Sequence, residues 1–212
     1  MPAETSQTLA RGLRVLRLLA DEPRGVTMTE LARRVEVNRT VAYRLVATLV
    51  EFGLARRDSD GRVYVGIGVI ELARAIEPLL RDQARPVLRQ LAEDVGATAH
   101  LTIAEGDEAL AIAVIEPTWT DYHVAYRVGT RHPLDRGAAG RAILLGRDAE
   151  AAPPYSLTRD ELQPGASGLA APVRGVPGLE CSVGVVALGE FDVDTVGVRV
   201  VRAASELAER LT

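Results

Sequence analysis

NRTVAYRLVATLVEFG, residues 38–53, places apolar side chains at Val41, Leu45, Leu49 and Phe52, with Ala42, Val46 and Val50 widening the stripe. That spacing predicts a helix with one buried face. Asn38 is positioned as its N-cap, the side-chain oxygen accepting from a free amide of the first turn. The opposite face of the first two turns carries Arg39, Thr40, Tyr43 and Arg44. Side chains that protrude early on a helix and can donate to base edges or phosphates are what a DNA-reading helix requires. Taken alone, the pattern suits an ordinary solvated helix face equally well.

The preceding residues tip the balance. Thr27 and Glu30 stand at capping-box spacing and open a short helix whose inward positions are Leu31, Ala32 and Val35. After Glu36 and Val37 the next helix begins at once, which is the arrangement of a helix-turn-helix, although the turn lacks the glycine often found there. Downstream, Gly53 stops the helix. Residues 54–57 (LARR) and 62–65 (RVYV) then read as two short strands around DSDG at 58–61. A helix-turn-helix followed by such a hairpin is a winged helix. Its candidate DNA-contacting residues are Thr27, Thr29, Asn38, Arg39, Thr40, Tyr43 and Arg44, with Arg56, Arg57 and Arg62 on the wing.

A chain of 212 residues suits two modest domains. With 47% hydrophobic and 25% charged residues and a mean hydropathy of +0.07, the composition is that of an ordinary globular protein. No run reaches the length of a membrane span, the first residues lack an apolar signal core, and the lone Cys181 cannot form an internal disulfide. These features point to a cytoplasmic protein. All 25 basic residues are Arg. Residues 1–70 hold 11 Arg against 8 acidic residues, and residues 71–212 hold 14 against 21. A basic front and an acidic back imply one module that meets nucleic acid and one that avoids it.

In chain order, residues 8–20 form a first helix with Leu9, Leu13, Leu16 and Leu19 on one face. Val15 and Leu18 lie off that stripe, so a second surface, such as a partner subunit, has something to cover. Residues 69–76 predict a linker helix ended by Pro78. Beyond it lie a helix over 79–95, strands over 98–103, 109–115 and 122–128, and a small-residue helix from Gly137. A polar loop over 148–167, strands over 169–174 and 181–188, and a final helix over 192–211 complete the chain. The expected architecture is an N-terminal all-α winged helix-turn-helix domain (1–67), a linker helix (68–78) and a C-terminal α+β domain (79–212).

A set of short motifs carries a resemblance. LARGLRVL at 9–16, TELA at 29–32 and YRLVATL at 43–49 are followed by ARPVL at 84–88, VGTRHPL at 128–134, GAAGRA at 137–142 and AAPV at 170–173. In this order and over nearly the whole chain, they resemble transcription regulators of the IclR (isocitrate lyase regulator) type. The resemblance implies a bacterial repressor or activator of double-stranded operator DNA. It implies a homodimer formed through the DNA-binding domains, often paired into a dimer of dimers, and a GAF-like second domain that binds a small-molecule effector. The matching positions would place His132, Gly137, Ala138, Gly168, Val186 and Leu188 at the effector site.

The chain departs from that family at three places. The segment between Leu145 and Gly168 is short, where the family has further elements bordering the pocket. Gly168 stands where the family has a cysteine, and Val186 and Leu188 stand where it often has serines ahead of a glycine. Fewer polar groups point away from a small organic acid and toward a more apolar ligand, or toward no ligand. A pocket, if formed, is expected between the 137–142 helix and the strand ending at Leu188. The alternative is that the small residues merely let the helix pack tightly, leaving an effector-independent regulator whose second domain only assembles subunits. An enzyme is not indicated. His100, His123, His132 and Cys181 share no metal-ligand spacing, there is no phosphate loop, HExxH or GxSxG, and neither catalytic residues nor a cofactor are assigned. Trp119 and Tyr122 could cap a ligand, although such a loop pair more often serves packing.

Overall fold

Three capped helices build the N-terminal unit: α1 (Gln7–Ala20), α2 (Met28–Arg34) and α3 (Arg39–Glu51). The computed structural model describes residues 5–120, 124, 126–148 and 154–212. Their contacts divide between Ile76 and Glu77 into two units. Ser6, Thr27 and Asn38 each turn a side-chain oxygen onto an amide of the helix they open, the last at 2.8 Å from Val41 N. Such a cap is worth about 1 kcal/mol. Of the expected capping box only the Thr27 half forms; Glu30 lies 4.0 Å from Arg34 instead.

The buried stripe of α3 is Ala42, Leu45, Val46 and Leu49, which meets Val15, Leu19 and Leu31 in one core. Phe52, expected on that stripe, is 70% exposed, because α3 ends at Glu51 and the chain turns away at Gly53. The glycine missing from the inter-helix turn is replaced functionally by Glu36, whose φ is +56°. A side chain in this left-handed region costs about 1–2 kcal/mol. The wing is a hairpin of β1 (Ala55–Arg57) and β2 (Val63–Val65), with Val26 bridging to Val63 on the other side of β2. A short helix, α4 (Val69–Arg74), follows with no buried residue.

Pro78 does not end a helix. It sits in the first turn of α5 (Ile76–Val95), where the missing N–H costs nothing because no carbonyl precedes it within the helix. The C-terminal unit is an antiparallel six-stranded sheet in the order β5-β4-β3-β8-β7-β6. In sequence its elements are β3 (Thr98–Glu105), β4 (Glu108–Ile115), β5 (Arg131–Pro133) and α6 (Gly137–Gly146). They are followed by β6 (Ser156–Arg159), β7 (Ala166–Val173), β8 (Cys181–Leu188) and α7 (Val193–Leu211). Two strands differ from the sequence expectation. The strand expected over 122–128 is absent at Val124 and at residues 126–128, its other positions lying outside the described residues, and β5 forms at 131–133 instead. The expected loop contains β6, which pairs with β7. β6 has too few apolar residues to announce itself; its pairing with β7 holds it.

Strand alternation sorts the sheet into two faces. Leu101, Leu169, Ala171, Val183 and Val185 point to one face and join α5 and α7 in the main core. His100, Ala170, Ser182 and Gly184 belong to the other face, toward α6. There the Ser182 hydroxyl donates to the Ala139 carbonyl at 3.0 Å. α6 approaches closely because it is small. A Cβ on Gly140 would lie 2.6 Å from the Leu134 carbonyl oxygen and 2.8 Å from its Cα.

Candidate functional site

Two places gather the sequence-derived candidates. On the N-terminal unit Arg39, Thr40, Tyr43 and Arg44 are all exposed, opposite the buried stripe of α3. Thr29 is exposed at the start of α2, whereas the oxygens of Thr27 and Asn38 are committed to their caps. Arg57 lies over the Tyr43 ring, 5.3 Å from its centroid, which joins the wing to α3. Arg56 stacks on Tyr64 at 4.2 Å.

Arg62, expected with Arg56 and Arg57 to touch DNA, is exposed but also makes a tie within the unit. Its guanidinium donates to the Gly25 carbonyl at 2.8 Å and to that of Arg24 at 3.5 Å, tying the hairpin to the loop before α2. The turn is held by Asp58, which accepts from the Asp60 and Arg62 amides and from the Tyr64 hydroxyl at 2.9 Å. Burial would push this carboxyl up. Those three hydrogen bonds, with Arg56 nearby, hold it below the usual carboxylate range.

The C-terminal unit contains a cavity of about 260 Å³ between α6 and the sheet. His132, Ala138, Gly168 and Val186 line it, as the sequence reading placed them. Gly137 and Leu188 do not. Gly137 faces the Leu162 side chain, and Leu188, the last residue of β8, is 54% exposed. The apolar floor expected from Val186 and Leu188 is therefore half formed. Gly168 does leave room, since a Cβ there would sit 3.2 Å from the Ala138 methyl. Close packing and open space coexist on α6: Gly140 provides the first and Ala138 borders the second.

Polar groups missed in the sequence supply much of the rest: His100, Tyr126, Thr130, Thr158, Glu161, Gln163 and Ser167. Several come from the segment expected to be a featureless loop. His100 donates or accepts at Thr102 (3.1 Å) and packs against the Tyr126 ring, centroids 4.9 Å apart. Burial, with a smaller push from His132, lowers its imidazole to about 3, so the ring is neutral. Burial likewise raises the Tyr126 phenol. His132 Nδ1 lies 3.1 Å from the Pro133 carbonyl, while its buried Nε2 has no partner.

Other candidates lie elsewhere. Trp119 donates to the Glu93 carbonyl at 3.1 Å and sits by Gly96, a packing role outside the cavity; Tyr122 and His123 lie outside the described residues. Cys181 is buried on the core face, its thiol pushed up to about 12 by desolvation, which leaves it inert at neutral pH. Among the described residues no cluster of His, Cys, Asp or Glu could hold a metal, and no helix is long and apolar enough to cross a membrane.

Known proteins place this geometry in context. Residues 8–59 match the IclR helix-turn-helix domain and residues 76–155 the bacterial transcriptional regulator IclR C-terminal domain, together more than half of the chain. The chain is 27% identical over 180 residues to the HTH-type transcriptional regulator KipR of Bacillus subtilis, covering 84% of this chain and 71% of KipR. It is 33% identical over 141 residues to BhcR of Paracoccus denitrificans, covering 65% of this chain and 50% of BhcR. The chain thus spans about half the length of BhcR and of the Pca regulon regulatory protein of Pseudomonas putida. Among solved structures, an IclR-family regulator from Rhodococcus superposes with a TM-score of 0.62 at 22% identity, covering 100% of this chain and 99% of that one. An IclR homologue from Microbacterium hydrocarbonoxydans complexed with 4-hydroxybenzoate does so with a TM-score of 0.56 at 21% identity, covering 97% and 99%. These two share the fold. With helix-turn-helix, wing and α+β domain all in the expected order, the chain belongs to the IclR family of bacterial transcription regulators.

Proposed function

We propose that this chain binds operator DNA as a homodimer and that a small molecule in the C-terminal cavity alters its operator affinity. One observation carries the DNA-binding half: Arg39, Thr40, Tyr43 and Arg44 stand together in solvent on a helix whose other face is fixed in the core. Arg44 donates to a base edge or an adjacent phosphate in this reading. Arg56 and Arg57 contact phosphate or the minor groove, and Arg62 acts as a structural tie. Self-association is supported by Leu9 and Leu13, 62% and 51% exposed along one side of α1. Apolar area of that kind on a soluble unit marks an association surface.

The cavity supports effector control over an effector-independent protein. A domain that only assembled subunits would have no need of a partly polar cavity lined by buried histidines. Titration of operator DNA tests both halves. Arg44→Ala should weaken binding by about 1–3 kcal/mol while the circular dichroism spectrum stays that of the parent. Ala138→Leu should fill the cavity, leaving operator binding intact but abolishing its response to a metabolite that affects the parent. Parent-like affinity in Arg44→Ala would remove the assignment of α3. A retained metabolite response in a folded Ala138→Leu would remove the cavity.

A further inference from the structure

The cavity wall carries an anion belonging to the chain, Glu161, whose partners Gly137 and Arg141 lie beyond the lining. Glu161 Oε2 accepts from the Gly137 amide at 2.9 Å, at the first residue of α6, and Oε1 pairs with the Arg141 guanidinium at 2.9 Å. Arg136 donates to the Glu161 carbonyl. The positive end of a helix and a nearby guanidinium would ordinarily receive a ligand's carboxylate. Here both are occupied from within. Arg131 also borders the cavity, but its guanidinium pairs with Glu105 and Glu108.

Deeper in the cavity two buried polar atoms lack a partner: the Tyr126 hydroxyl, which can donate or accept, and His132 Nε2. The Pro133 carbonyl can only accept, so His132 Nδ1 carries the proton facing it, and in the neutral ring Nε2 presents a lone pair. That nitrogen is buried without a partner, in a residue only 6% exposed. A buried acceptor left unpaired costs about 1–3 kcal/mol, which a ligand's O–H or N–H would recover. Val124, Ala138 and Val186 supply apolar walls.

We infer that the cavity selects a small neutral compound bearing a hydroxyl, which donates to His132 Nε2, and that Glu161 on the cavity wall disfavours anionic ligands by its charge and by holding the helix amide and guanidinium that could otherwise receive their carboxylate. This inference rests on the reading of the cavity as an effector site. His100 is neutral at physiological pH and offers no compensating cation. A carboxylate entering the cavity must therefore either displace Glu161 or lie beside it, like charge against like.

Phenol and benzoate, similar in size but one neutral and the other anionic, are suitable probes. Calorimetry on the full chain should give phenol a Kd at least about tenfold lower than benzoate, a difference of about 1.4 kcal/mol. Glu161→Ala, which frees the Gly137 amide and Arg141, should bind benzoate about tenfold more tightly than the parent does, with phenol changed by less than about threefold. Glu161→Gln keeps an acceptor for Gly137 without the charge, and provides the same comparison should the alanine variant fold poorly. Benzoate binding the parent as tightly as phenol overturns the inference. So does the absence of phenol binding, or a failure of both variants to gain benzoate affinity. Operator titration separates this inference from the broader reading. Selective phenol binding with unchanged operator affinity would defeat effector control alone. An operator response to benzoate but not phenol would defeat the selectivity alone.

Discussion

In the N-terminal unit the groups assigned to DNA all stand in solvent, and the core beneath them is purely apolar. In the C-terminal unit the reverse holds. Among the described residues, every buried polar side chain (Thr98, His100, Thr102, His132, Thr158, Ser167 and Ser182) belongs to that unit, and most face away from the main core. The difference matches the partner proposed for each unit. DNA is large and charged, so its reader keeps donors in water and relies on a small core for rigidity alone. A small molecule must be surrounded, so its site has to carry polarity into the interior and bear the desolvation cost there. Tolerance to substitution should differ accordingly: surface changes in the first unit alter binding, and in the second unit changes in the main core alter folding while changes on the cavity face alter the cavity.

The largest expected effect is at Gly140. An alanine there drives a methyl into the Leu134 backbone, which cannot yield as a flexible side chain would. Gly140→Ala should lower stability by about 3 kcal/mol in the C-terminal unit and leave the melting of residues 1–76 unchanged, as followed by domain-resolved hydrogen exchange. A uniform loss across both units would contradict this expectation.

An intermediate effect is expected from acid. The imidazole of His100 sits near 3 in the fold against 6.5 for an ordinary histidine. Below pH 6.5 the unfolded chain takes up a proton that the folded chain refuses. The stability due to the neutral ring is therefore full above 6.5 and is lost as pH falls toward 3, at up to about 1.4 kcal/mol per pH unit. Denaturant midpoints measured from pH 7 to 5 should fall in the parent and fall less in His100→Gln. Identical slopes would assign the acid sensitivity to another group.

The smallest effect distinguishes two arginines on one hairpin. Arg57→Ala should reduce the salt dependence of operator binding by about one unit of slope, for cognate and unrelated DNA alike. Arg62→Ala should leave that slope alone and cost roughly 1 kcal/mol of stability through its lost bond to Gly25. Exchange of these two outcomes would assign the DNA contact to Arg62 and the structural tie to Arg57.

The same contrast decides how much was legible in the sequence. On α3 the functional face is the complement of a periodic apolar stripe, so Arg39 to Arg44 could be identified from spacing. Phe52 was misplaced only because periodicity does not say where a helix stops. Arg62 looked like its neighbours Arg56 and Arg57; nothing local reveals that its guanidinium reaches the carbonyl of Gly25, 37 residues earlier. The cavity was half legible. Gly168, Ala138 and His132 fell within or beside family motifs. Glu161 and Thr158 lay in a stretch of polar and Pro-rich composition, and only the pairing of β6 with β7 brings them to the cavity. The buried polar residues of the sheet carry little sequence signal, since alternation identifies two faces without saying which of them surrounds a ligand.

That alternation has a consequence for how the protein can change over generations. On β8, Val183 and Val185 serve the main core, while Ser182, Gly184 and Val186 between them face α6 and the cavity. The two sets occupy one strand yet answer to separate selective demands. A substitution at Val186 can reshape the cavity without disturbing the core that keeps the domain folded. On the proposed reading, chemical preference can therefore change in single steps on an intact scaffold.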